Sequence, residues 1–71
     1  MSVVYDSHNR RMKYDMHKRR YEKAFIQYQE LEESIALSQH LPHAVEVMEG
    51  HKRDLLSRME ANEKLMKKYE D

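Results

Sequence analysis

Tyr14, Tyr21 and Tyr28 stand seven residues apart, and Ile35 continues the series. Ala24, Phe25 and Leu31 fill the three- and four-residue steps between them. An apolar stripe recurring about every 3.5 residues over three heptads is the pattern of a helix that packs lengthwise against another helix. The second stripe lies downstream: Met48, Leu55, Met59, Met66 and Tyr69, flanked by Ala44, His51 and Leu65, with Asn62 in its midst. Between the stripes stands Gln39-His40-Leu41-Pro42. Proline has no amide hydrogen to give a helix and pushes the residue before it out of helical geometry, so the first helix must end there. Pro42 itself suits the first position of the next helix, with Glu46 and Glu49 near its positive end.

These signals predict an all-α chain, an antiparallel two-helix hairpin with helices at about 8–38 and 42–69 and a turn at 39–42. Residues 1–7 read as a short frayed arm, because Val3, Val4 and Tyr5 favour extended geometry and Asp6 or Ser7 suits a helix N-cap. Gly50 is the soft point of the second helix, either a place where another backbone approaches or the end of a short helix. The expected core is Tyr14, Tyr21, Phe25, Tyr28, Leu31 and Ile35 against Met48, Leu55, Met59 and Met66. In the expected register Ile35 meets Met48, Tyr28 meets Leu55, Phe25 meets Met59, Tyr21 meets Asn62, and Tyr14 lies near Met66 and Tyr69.

Composition narrows the class. The chain has 71 residues, so it makes one small helical-hairpin module, and a chain of this size buries only about 60% of its unfolded surface. It has no cysteine, which removes disulfides and thiolate metal sites as staples. Met12, Met16, Ile26 and Leu37 fall off the first stripe and Leu56 off the second, giving a second apolar surface for self-association or docking. Two hairpins burying it would make a four-helix bundle. No long uncharged apolar run or signal-peptide pattern is present, so the expectation is a cytoplasmic protein without a membrane span.

Net charge is zero, but the signs are segregated. Residues 1–28 hold seven basic and three acidic groups, whereas residues 29–49 hold five Glu and no Lys or Arg. The basic cluster is Arg10, Arg11, Lys13, Lys18, Arg19, Arg20 and Lys23, interleaved with tyrosines. Such a cluster grips phosphates and stacks on bases in nucleic-acid-binding proteins, and it also steers acidic protein surfaces. Against nucleic acid, the cations wrap around the helix and the tyrosines coincide with the packing stripe. Cations near a helix N-terminus also oppose the macrodipole, a cost that invites a reason.

His40, His43, Glu46 and His51 carry metal-ligand side chains, but the proline break spoils the alignment of His40 with His43, no fixed ligand pattern follows, and no metal or other cofactor is expected. There is no Gly-rich phosphate loop, cysteine nucleophile or carboxylate pair set in a cleft, so no catalytic residues are assigned. The expected function is a small non-enzymatic protein–protein interaction module, a regulator, adaptor or assembly subunit. Its expected partners are itself and an acidic protein surface. The alternatives are a nucleic-acid-binding helical bundle and a structural subunit of a larger assembly.

Overall fold

In the computed structural model, the backbone is described for residues 2–70 and side chains for residues 7–70. Two helices pack against each other, α1 (Ser2–Leu37) and α2 (Pro42–Tyr69), and no strand occurs among the described residues. Both lie lengthwise in a rod of 61 × 14 × 13 Å.

The frayed arm expected at residues 1–7 is not there from Ser2 onward: α1 already begins at Ser2. Neither Gly nor Pro occurs before Leu41, and the reluctance of Val or Tyr to enter a helix costs only a few tenths of a kcal/mol each. Asp6 and Ser7 therefore lie inside the helix rather than capping it. Gly50 also lies within an unbroken helix, and a methyl group there would meet only the tip of the Arg53 side chain at 3.9 Å. No backbone approaches it.

The reversal is built by main-chain bonds and one side chain. The amide of Ser38 donates to the Ile35 carbonyl at 3.1 Å, and that of Leu41 donates to Ser38 at 2.8 Å. The Gln39 side-chain amide also donates to the Ile35 carbonyl, at 2.8 Å, satisfying a carbonyl that the helix end leaves open. Pro42 takes the first helical position of α2, where its missing N–H costs nothing, and Leu41 is an N-cap without a side-chain bond. No acidic residue falls in that first turn, so Glu46 and Glu49 lie too far along to meet the helix's positive end.

Along α1 the inward positions are Tyr14, His17, Tyr21, Ala24, Tyr28, Leu31 and Ile35, all buried or half-buried. Along α2 they are Val45, Met48, Lys52, Leu55, Met59, Asn62, Met66 and Tyr69. Each series alternates steps of three and four, the geometry of an antiparallel coiled coil. Ala24, Leu55 and Met59 form the central cluster, with Tyr21, Tyr28 and Leu31 packed on it, and Leu55 is completely buried.

Phe25 is the correction among the expected core residues, because it is 41% exposed. A step of three from Tyr21 reaches Ala24 and a step of four reaches Phe25, and the rhythm of the whole seam selects Ala24. Phe25 lies at the flank instead, its ring stacked on Tyr21 with centroids 6.4 Å apart. The register also differs from expectation. Lys52, rather than Leu55, lies over the Tyr28 ring, and Asn62 meets His17 rather than Tyr21. The chain pivots on residues 38–41, before Pro42, which brings α2 residues about one turn earlier in the sequence opposite each α1 position.

Candidate interaction surface

Because the helices are antiparallel, the basic half of α1 lies beside the last turns of α2. Arg10, Arg11, Lys13, Lys18, Arg19, Arg20 and Lys23, all exposed, are joined there by Arg58, Lys64, Lys67 and Lys68, also exposed. Asp15, Glu22, Glu60, Glu63 and Glu70 are scattered among them. The opposite end carries Glu30, Glu32, Glu33, Glu46, Glu49 and Asp54 against Lys52 and Arg53. One end of the rod is basic and the turn end is acidic.

These cations do not oppose the α1 dipole. Arg10 lies eight residues inside a helix that starts at Ser2, beyond the first turn where the dipole acts. The negative end of α2 lies alongside instead, with Lys67 and Lys68 in its last turn. Arg10 donates from Nη2 to the Lys68 carbonyl at 3.2 Å, closing the open end of the hairpin. Two exposed pairs, Arg58–Asp54 at 3.1 Å and Lys67–Glu63 at 3.7 Å, follow the i, i+4 rule and contribute little in water.

Tyr69 organises this end. Its ring stacks on the buried His17 at 6.0 Å, while Lys13 and Lys68 place their ammonium groups 5.4 and 5.5 Å from its centre. The Asn62 amide donates through Nδ2 to the Arg58 carbonyl at 2.9 Å, which turns Oδ1 toward His17. His17 Nδ1 therefore carries a proton and donates to Oδ1 across 3.2 Å. A buried polar pair in a coiled-coil seam favours one register over its alternatives.

Lys52 is the second polar seam residue. Its ammonium group lies 5.1 Å from the centre of the Tyr28 ring and 3.7 Å from Glu32. Burial pulls its pKa down, but Tyr28, Glu32 and Glu49 outweigh that and raise it above the ordinary lysine value. Asn62 falls within the second apolar stripe and His17 beside the first; Lys52 is found only by following the three–four rhythm through a polar position.

Tyr14, Tyr21 and Tyr28 are half-buried in the seam, which restricts their faces for stacking on bases. Solvent-open grooves flank the basic end, among them one of 320 Å³ beside Arg11, Lys18 and Tyr69, one of 370 Å³ beside Arg20, Lys23 and Arg58, and one of 650 Å³ beside Met12, Met16 and Arg19. His40, His43 and His51 are exposed, and among the described residues no group of three or more His, Cys, Asp or Glu could hold a metal ion. Met12, Met16, Ile26, Leu37 and Leu56 are exposed, as are Leu41 and Val47, which the stripe analysis did not single out. Leu37 reaches 74%. No described helix is long and apolar enough to cross a membrane. Comparison with protein families, curated proteins and solved structures finds no match to the chain.

Proposed function

We propose that this chain is a small non-enzymatic protein–protein interaction module, a regulator, adaptor or assembly subunit that works through helix faces and segregated charge. The observation that carries the reading is the exposed outer side of the hairpin: each helix uses one face for the seam, and α1 presents Met12, Met16, Ile26 and Leu37 on the other side. A core whose buried apolar side chains among the described residues are Ala24, Ile35, Leu55 and Met59 gives such a chain reason to cover that face by association, in the limit as a four-helix bundle. The basic end fits an acidic protein surface, where charge acts mainly on the rate of encounter. The grooves are open, and catalysis normally needs an enclosed, water-excluding site.

A second reading, nucleic-acid binding, draws on one observation: the α2 lysines enlarge the basic cluster beyond what α1 supplies. Fluorescence anisotropy with a polyglutamate peptide and with a DNA duplex separates the two. The expected result at physiological salt is peptide binding that weakens with added salt and with Arg11→Gln/Lys18→Gln/Lys67→Gln. DNA retention should be no tighter than the nonspecific range of about 10⁻⁴–10⁻⁶ M. Submicromolar, salt-sensitive DNA binding would transfer the assignment to the second reading.

A further inference from the structure

The side of α1 turned away from α2 has a rhythm of its own. Met12, Met16, Arg19 and Lys23 succeed one another at steps of four, three and four; Ile26 follows; then come Glu30, Glu33 and Leu37. All eight are exposed, and they form one continuous line opposite the seam. Read along the helix, the line is two apolar residues, two cations, one apolar residue, two anions and one apolar residue.

That order is complementary to its own reverse. We propose that the outer face of α1 binds the same face of a second copy of this chain, antiparallel, about a two-fold axis at Ile26; this rests on the self-associating reading above. Ile26 then meets the partner's Ile26 on the axis. Lys23 faces the partner's Glu30, Arg19 faces the partner's Glu33, and Met16 faces the partner's Leu37. Met12 extends to the partner's turn, where the partner's Leu41 is half-exposed. Each contact occurs twice, as a self-complementary two-fold interface requires.

The opposite orientation is excluded by the same residues. In a parallel pair Arg19 would face the partner's Arg19, and Lys23, Glu30 and Glu33 would each face their own kind. Like charges brought together across an interface select against that arrangement. The line therefore specifies both the occupant and its direction.

The test uses the whole chain, and exposure of every substituted position keeps the hairpin intact, which far-ultraviolet circular dichroism checks. Sedimentation equilibrium should show a dimer for the wild type. Arg19→Glu/Lys23→Glu places four anions opposite one another at each end and should weaken dimerisation at least about tenfold. Adding Glu30→Lys/Glu33→Lys to that variant reverses the whole pattern and should restore the dimer.

The chain has no cysteine, so single introduced cysteines report geometry directly. Ile26→Cys should crosslink to itself on oxidation. Met16→Cys should not, because antiparallel packing holds the two copies of residue 16 about 30 Å apart, far beyond disulfide reach. A dimer indifferent to Arg19→Glu/Lys23→Glu, or Met16→Cys crosslinking as readily as Ile26→Cys, would overturn the arrangement. A wild type that stays monomeric at every concentration would overturn it too, while leaving the acidic-partner reading of the basic end to its own peptide assay.

Discussion

Toward the turn, the two helices meet through Ala24, Leu31, Ile35, Met48, Leu55 and Met59, with Lys52 as the charge admitted among them. Toward the open end they meet through Tyr14, His17, Asn62, Met66 and Tyr69, where hydrogen bonds and ring stacking replace aliphatic packing. The same two helices make both halves, so propensity does not separate them. Apolar contact rewards closeness without demanding one alignment, whereas the His17–Asn62 bond holds at one register and fails one turn away. The turn half is where stability resides, and the open half is where the alignment is fixed.

The largest test of that division is Leu55→Ala. Emptying the fully buried position should cost about 2–5 kcal/mol in urea melts, much of the stability of so small a domain. Phe25→Ala, although it removes a larger side chain, should cost clearly less, because a half-exposed ring gives up less apolar contact. Equal losses would place Phe25 back inside the core.

A smaller effect is expected at the open end. Asn62→Ala leaves the buried His17 Nδ1 without its acceptor and should cost about 1–3 kcal/mol. Adding His17→Ala should cost less than the sum of the two single changes, since the pair acts as a unit. Strict additivity would show that the bond contributes nothing to folding.

The smallest effect concerns Lys52 and appears only in alkali. Its pKa is raised on folding, so its contribution is fully present below the ordinary lysine value and is lost as pH rises through the higher folded value. Lys52→Met cannot titrate there. The stability difference between wild type and Lys52→Met should therefore shift against the wild type as pH climbs past the ordinary lysine value of 10.5, with no comparable shift between about pH 7 and 9. A difference that stays constant across the alkaline range would remove Lys52 from the ion-pair account of the seam.

Much of the architecture is legible in the chain because its determinants are local. Proline at 42 acts through its own ring, and seven-residue spacing needs only a helix to become a face. The misjudged points depend on the other helix. Taken singly, Ala24 and Phe25 both lie one helical step from Tyr21, and the run of seam positions through His17, which meets Asn62 on α2, and Leu31 selects Ala24. Asn62 stands inside the second stripe, but its partner His17 is set by the register, and Lys52 vanishes from a search for apolar side chains yet occupies a seam position over the Tyr28 ring. The basic end was half visible for the same reason: Lys64, Lys67 and Lys68 are remote from Arg10 in sequence and join it only once the chain has reversed. The outer line of α1 was legible as scattered apolar residues, and its charges acquired meaning once all eight proved exposed on one face.

The separation of charge along the rod has a consequence for motion. With a formal net charge of zero and an isoelectric point near 7.0, the chain feels almost no net pull in a uniform electric field at neutral pH. It does feel a torque, since opposite charges sit toward opposite ends of a 61 Å lever. Near a charged surface this molecule turns before it travels, so a negative wall meets its open end and a positive one meets its turn.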